Sequence, residues 1–394
     1  MTMPAIDKLR SIVERLPTPR EENWKYTDLA SAREISVRWL DAGANTPDAS
    51  AVERIAAITS AIPADWIVIA NGRVQSTPTV AGLTISEADA SPATDALAEL
   101  NNALGNHTLH LQVNADIETP IGLLLIDDAT DDAIVVSSDV TVEVAENCRC
   151  QFVEYRESSG GGDLYANCEV GLSIGDAANV GVVRIQQRGN DHVETTKFTA
   201  TVGKDASFEM LAIDIGGRLV RNDTNVDLAS PGAHADFNGI YLAGDGQHID
   251  NHTRVDHRVG PATSRQEYRG ILNGRCRCVW NGKAIVHEGA DGTDAQQGNH
   301  NLLLSDHAEI DAKPELEIYA DDVKCAHGTT VGQLDERSLF YLRTRGIERE
   351  KAKQMLTQAF AAALVSNCPI DGARDHVAAM VETRLGELVG EEIA

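Results

Sequence analysis

Five short runs decide the fold class, and between residues 133 and 215 they read AIVVSSDVTVEV (133–144), CQFVEY (150–155), CEVGLSI (168–174), VGVVRIQ (180–186) and FEMLAIDI (208–215). Each run is apolar or alternates in polarity, and Gly, Asn and Asp separate it from the next run, which is typical of β-strands joined by turns. The pattern extends from about His107 to Tyr319 without a helical interruption. We therefore predict a long all-β region of the sandwich, barrel or solenoid type.

Composition favours the solenoid among these three architectures. Only 4% of the 394 residues are aromatic, whereas 32 are glycine. A sandwich packed around large rings does not suit this composition, but stacked coils with small residues at the strand boundaries do. The spacing of the runs is too irregular to count repeats.

The charge and the cysteines exclude several classes of protein. A net charge of −26 repels the nucleic-acid backbone and anionic membranes. No apolar run has the length of a membrane-spanning helix, and residues 1–17 lack the apolar core of a signal peptide, so we expect a cytoplasmic protein. The seven cysteines show no CxxC spacing, which indicates reduced thiols rather than a disulfide framework or a zinc ribbon.

Helical periodicity brackets the β region and suggests three units: a mainly helical region (1–105), the β core (106–334) and a C-terminal helical region (335–394). A hairpin turn is expected at Asn71-Gly72, and Asp335 is a candidate helix cap. The helices predicted from apolar residues at helical spacing are Pro4–Leu16, Asp48–Ala61, Asp89–Leu104, Glu348–Val365 and Asp375–Val389.

The stretch IYADDVKCAHGTTVG (318–332) holds the candidate site, because it places Cys325 and His327 two residues apart. In a strand these two side chains share a face, and a thiolate beside a neutral imidazole suits iron or zinc. Two ligands make half of a tetrahedral site, so the remaining ligands must come from elsewhere, including another chain. We expect Lys324 to lower the pKa of Cys325, and the carboxylates of Asp321 and Asp322 to raise it.

Other reactive residues are better explained structurally. The pairs Cys148/Cys150 and Cys276/Cys278 have the character of small buried apolar residues. Trp24 and Tyr26 are expected to pin their segment to the core. The remaining candidate group, expected to consist of polar turn residues, is His248, Asp250, His252, Asp256 and His257. The chain contains no GxxxxGK[ST], no GxGxxG after a strand and no GxSxG, so we predict no nucleotide site of its own.

Four segments of the chain resemble the SufB/SufD family, the scaffold proteins of the Suf iron–sulfur cluster assembly system. These segments are EENWKYTDL (21–29), GQHIDNHTRVDH (246–257), NGKAIVHEGADGTDAQQGNHNLLL (281–304) and KPELEIYADDVKCAHGTTVGQLDERSLFYLRTRGI (313–347). The KCxHG form around Cys325 is typical of the SufD branch rather than the SufB branch.

The resemblance implies a right-handed parallel β-helix that serves as a scaffold subunit and is not an enzyme by itself. It implies pairing with SufB through β-helix edges, with a homodimer as the alternative when SufB is absent, and binding of the SufC ATPase through the C-terminal helices. In this scheme Cys325 and His327 hold iron or a nascent cluster, transiently and shared with SufB. The apolar helix residues expected to bind the partner are Met355, Leu356 and Phe360.

Two alternatives stay open on the sequence alone. A carbohydrate-active β-helix enzyme would need paired carboxylates or basic residues on the exterior and is usually exported, and the absent signal peptide and the scarcity of aromatic residues count against it. A SufB-type subunit is disfavoured by the KCxHG form.

Overall fold

Successive strands of the central region alternate between two sheets. Within each sheet, neighbouring strands of this region run parallel. The computed structural model describes residues 3–89, 92–105, 108–130 and 132–390. The strands of this region are β4 (Thr108–Val113), β5 (Ile121–Asp128), β6 (Ile134–Val144), β7 (Arg149–Ser159), β8 (Leu164–Ile174), β9 (Asn179–Gln187), β10 (Val193–Val202), β11 (Ser207–Asp214), β12 (Leu219–Leu228), β13 (His234–Ala243), β14 (His248–His257), β15 (Thr263–Leu272), β16 (Arg277–Val286), β17 (Asp294–Leu303), β18 (Glu309–Ile318) and β19 (Lys324–Gly332).

The order of the strands defines a parallel β-solenoid. The odd-numbered strands from β5 to β19 follow one another in one sheet, and the even-numbered strands from β4 to β18 follow one another in the other. Leu219 pairs with His248, which pairs in turn with Arg277, so each coil places a residue directly beside its counterpart in the next coil. The predicted mainly β fold with helices at both ends is confirmed.

Inward-facing residues form columns along the solenoid axis. In one column, Val140, Val170 and Phe198 are neighbours on β6, β8 and β10, and all three are buried. The Phe198 ring stacks on that of Phe208 from the opposite sheet, with centroids 5.9 Å apart. The alternation in the sequence therefore corresponds to one face turned into the solenoid and one turned outward.

The interior also contains charged side chains, which the sequence did not lead us to expect. Arg156 lies 3.0 Å from the Glu194 carboxylate, Arg188 lies 2.6 Å from the same residue, and Arg184 lies 2.9 Å from Glu154. Arg188 also pairs with Asp127. All of these side chains are buried, and each guanidinium has a carboxylate partner from another strand or turn, which is what makes a buried charge tolerable.

The N-terminal region adds three more strands to the two sheets. Its elements are α1 (Met3–Glu14), α2 (Ala30–Asp41), α3 (Val52–Ala61), β1 (Asp65–Ala70), β2 (Arg73–Ser76), β3 (Leu83–Glu87) and α4 (Ala96–Leu104). β1 runs parallel to β5, and β1 and β2 form the predicted hairpin, with positive φ at Asn71 and Gly72. Solenoid pairing therefore begins before residue 106, and the proposed unit boundaries remain predictions. Some predictions fall partly outside the described residues. Residues 90 and 91 belong to the predicted helix 89–104, and residues 106 and 107 belong to the predicted start of the β region.

Three C-terminal helices follow the last coil: α5 (Glu336–Thr344), α6 (Arg349–Val365) and α7 (Asp371–Gly390). The Asp335 side chain accepts hydrogen bonds from the backbone N–H groups of Arg337 and Ser338, which confirms the predicted cap. Buried residues of α6 and α7 pack on the outer face of the odd-numbered sheet. The helices contribute Ala361, Leu364, Val377 and Val381, and strands β11 and β13 contribute Leu211, Ile213, Ile240 and Leu242.

Candidate functional site at the end of the solenoid

The last coil carries the predicted Cys325 and His327 pair on strand β19. This strand is the terminal member of the ten-stranded sheet, just as β18 is the terminal member of the nine-stranded sheet. Cys325 pairs with Ala295 and His327 pairs with Gln297, two residues buried inside the preceding coil. The pair therefore continues two interior columns to the end of the solenoid, where Cys325 is partly buried and His327 is exposed.

Partial burial governs the thiol chemistry of Cys325. Burial raises its pKa above the ordinary value, the backbone of Ala295 opposes that shift, and the carboxylate of Asp294 adds to it. The expectation that Lys324, Asp321 and Asp322 set this pKa is wrong, because the neighbouring coil supplies the groups that act on the thiol. A thiol with a raised pKa stays protonated until a metal or a basic partner displaces its proton.

Cys325 and His327 do not form a complete metal site among the described residues of this chain. No three His, Cys, Asp or Glu side chains converge on a common point in residues 3–89, 92–105, 108–130 and 132–390. A tetrahedral centre at Cys325 and His327 would therefore draw its remaining ligands from a partner or from solvent. Their role as ligands stays a prediction.

Exposed apolar side chains surround the same end of the molecule. Ile318 at the end of β18 is 43% exposed, the neighbouring Tyr319 is 63% exposed, and Val331 on β19 is 51% exposed. A terminal strand also offers backbone N–H and C=O groups for pairing with another chain. An apolar surface beside an open sheet edge is typical of a protein–protein contact.

The predicted partner-binding residues on α6 fall in different environments. Met355 is exposed, whereas Leu356 is partly buried. Phe360 is also partly buried and lies against the solenoid, with the guanidinium of Arg269 at 5.1 Å from its ring centroid. The role of the three residues remains a prediction, and only Met355 among them projects into solvent.

Sequence reasoning missed two exposed aromatic residues on α5. Phe340 is 69% exposed and Tyr341 is 59% exposed, while Leu339 beside them is buried. The available signal was their position off the helix face marked by Leu339 and Leu342, because aromatic side chains on the outer face of a helix have no core to fill.

The cysteine pairs occupy the solenoid core, as their structural interpretation predicted. All four side chains of Cys148, Cys150, Cys276 and Cys278 are buried. Burial raises the pKa of Cys150 to about 12, which keeps it a neutral thiol. These thiols therefore fill space in the interior.

The histidine group lies on strand β14, and the expectation that its members are turn residues is wrong. His248, Asp250 and His252 share the outward face. Asp250 is fully buried beneath the N-terminal segment, residues 21–29 between α1 and α2. Thr27 of this segment donates a hydrogen bond to Asp250, and Arg221 donates another at 2.7 Å. Burial opposes ionisation of Asp250, but Arg221 and His252 outweigh it and hold the pKa of this carboxyl below its ordinary value.

Comparison with known proteins places this architecture in a class. The family model described as SUF system FeS cluster assembly, SufBD core domain, matches residues 126–360, which cover most of the solenoid and reach into α6. The chain therefore belongs to the SufBD family of iron–sulfur cluster assembly proteins.

Individual relatives show which members of the family this chain resembles. The chain is 29% identical over 392 residues to the iron–sulfur cluster assembly protein SufD of Escherichia coli, covering 94% of this chain and 89% of that protein. It is 32% identical over 277 residues to a SufBD family protein of Mycobacterium leprae, covering 68% and 69% of the two chains. It is 26% identical over 296 residues to SufD of Bacillus subtilis, covering 73% and 67%.

These matches confirm the predicted likeness to SufD and give no support to the carbohydrate-active enzyme. In the described part of the chain, no helix has both the length and the apolar character needed to cross a membrane.

Proposed function

We propose that this chain is a scaffold subunit that pairs with a SufB subunit through the end of its solenoid and binds the SufC ATPase through its C-terminal helices. The observation that carries the proposal is the coincidence of three features on the last coil: the terminal strands β18 and β19, the exposed Ile318, Tyr319 and Val331, and the Cys325/His327 pair.

The chemistry of the pair suits a shared site for iron or a nascent cluster as cargo. A thiolate and an imidazole are soft and intermediate ligands that iron accepts, and two of them on one strand leave positions open for ligands from a partner. Because Cys325 is only partly buried and its pKa is raised, binding of the cargo would release the thiol proton to solvent or to the partner. Holding the cargo between two chains also lets it leave when the chains separate.

The nucleotide chemistry falls to the partner ATPase. The sequence has no P-loop, so ATP hydrolysis has to act on this chain through contact with another subunit. Exposed Phe340 and Tyr341 on α5 and Met355 on α6 supply an apolar surface for that contact.

Co-purification of the chain with SufB-type and SufC-type partners from one host tests the pairing. Val331→Asp places a charge on β19 and should remove the SufB-type subunit while the SufC-type ATPase stays bound. The matched control is Val259→Asp, because Val259 is 39% exposed but lies in a turn away from β19. Retention of the SufB-type subunit by Val331→Asp at wild-type stoichiometry would contradict pairing through this edge.

A further inference from the structure

Gln297 on β17 is a buried polar residue whose side chain has no stabilising polar interaction in the described structure. Its side chain is 5% exposed, and neither its amide oxygen nor its amide nitrogen has a hydrogen-bond partner among the described residues. A buried polar group left unpaired destabilises the folded state, so a glutamine at this position needs a compensating interaction. The adjacent Gln296, by contrast, is exposed and donates to Asp294.

The register of the sheet indicates which neighbouring residue could interact with the Gln297 side chain. Gln297 pairs in register with Gln266 on β15 and with His327 on β19. The Gln266 oxygen accepts a 2.7 Å hydrogen bond from the Thr253 hydroxyl, so the Gln266 side chain already has a partner other than Gln297. Neighbouring strands lie about 4.8 Å apart, so rotation of the two side chains can bring the ring of His327 within hydrogen-bond reach of the Gln297 amide, a contact that the described conformation does not contain.

His327 is free to make this contact because its side chain is exposed on the last coil. An imidazole that binds a metal through one nitrogen donates its other N–H to an acceptor, which fixes the tautomer and the ring orientation. The amide oxygen of Gln297 is an unpaired acceptor on the neighbouring strand. Apolar side chains in register with His327 would leave that N–H without a partner on the solenoid side.

We propose that Gln297 is a positioning residue for the Cys325/His327 site: its amide oxygen accepts the N–H of His327 and turns the other ring nitrogen toward the cargo. This inference rests on the proposed function in so far as His327 acts as a ligand. The hydrogen bond itself belongs to this chain alone and is measurable without the cargo.

Nuclear magnetic resonance of the full-length chain labelled with ¹⁵N-histidine tests the hydrogen bond, because the two neutral tautomers have different nitrogen shifts. The His327 signals are assigned by their loss in His327→Ala. We expect one dominant tautomer in the wild type, in Gln297→Glu, which keeps an acceptor, and in the exposed control Gln296→Met. In Gln297→Met, which preserves the volume without the acceptor, we expect both tautomers. An unchanged His327 tautomer in Gln297→Met overturns the inference.

Two further measurements keep the outcome decisive. If Gln297→Met does not fold, the Gln297 amide signals of the wild type are compared with those of His327→Ala, and identical shifts overturn the proposal. In the complex purified with its partners, Gln297→Met should lower the iron content about tenfold or more, with Gln297→Glu restoring it. Wild-type iron content in His327→Ala would refute the ligand role of His327, whereas its loss in His327→Ala but not in Gln297→Met would refute only the role of Gln297.

Discussion

The guanidinium of Arg221 lies 4.5 Å from the ring centroid of Trp24, so a cation–π contact joins a solenoid strand to the N-terminal segment. Arg221 also donates a hydrogen bond to the carboxylate of Asp250, which in turn accepts one from Thr27. The two residues of the segment that reach these partners, Trp24 and Thr27, are both buried. We call the set Trp24, Thr27, Arg221 and Asp250 the N-terminal clasp.

Trp24→Ala should open the clasp. Removal of a buried tryptophan costs about 3–5 kcal/mol, and here it also removes the ring over Arg221. We expect a loss of that size in the free energy of unfolding, measured by urea titration and circular dichroism, and faster proteolysis within residues 1–45. Tyr26→Ala is the control, because Tyr26 is partly exposed and should cost less than about 1.5 kcal/mol. Equal losses from the two variants would contradict the clasp.

The clasp also shows why sequence reasoning reached only part of the structure. Trp24 was correctly predicted to pin its segment, because a large ring in a polar run has few other uses. Arg221, which contacts Trp24, and Asp250, which contacts Thr27, lie about 200 residues further along the chain on adjacent coils. Sequence spacing does not indicate which strands become neighbours.

The candidate site was likewise only partly predictable from the sequence. The strand assignment and the shared face of Cys325 and His327 follow from a spacing of two residues. The importance of Gln297 depends on the register between β17 and β19, which the sequence alone does not fix. The burial of the arginines was equally unpredictable, because a charged residue in a strand is normally assigned to the outer face. Arg156 and Glu194 come together only through the stacking of the coils.

His257 should make stability sensitive to mild acid. It is fully buried, with its Nε2 2.8 Å from the Ser264 hydroxyl, and burial lowers its pKa from 6.5 to about 4. Its contribution is therefore complete above pH 6.5 and is lost as the pH falls from 6.5 toward 4, because the unfolded chain binds a proton that the folded chain excludes.

The loss attributable to His257 should be on the order of 2–3 kcal/mol across this interval. Denaturant titrations at a series of pH values should show that His257→Gln flattens the dependence between pH 6.5 and 4. A slope in His257→Gln equal to that of the wild type would show that other groups carry the acid sensitivity.

Phe340→Asp should weaken binding of the ATPase partner at least tenfold by isothermal titration calorimetry. Truncation of a central aromatic residue in an interface commonly costs 2 kcal/mol or more, roughly thirtyfold in affinity. Because Phe340 is 69% exposed in the free chain, the substitution should change the free energy of unfolding by less than about 0.5 kcal/mol.

Phe360→Asp is the informative comparison on α6. Its ring packs under Arg269, so the change should lower stability as well as any binding. Undiminished ATPase affinity in Phe340→Asp would move the docking surface away from α5.

In the proposed function, Cys325 and His327 contribute half of a site that the partner completes. The most direct test is the iron and sulfide content of the complex assembled with SufB-type and SufC-type partners in cells that depend on the Suf system. We compare the wild type with Cys325→Ser and His327→Ala, after circular dichroism has shown that the variants fold. We expect both variants to assemble with their partners but to contain little iron and sulfide and to fail to support growth, with His327→Ala the more severe. Wild-type iron and sulfide content in both variants would contradict this expectation and leave the pair with a packing role alone.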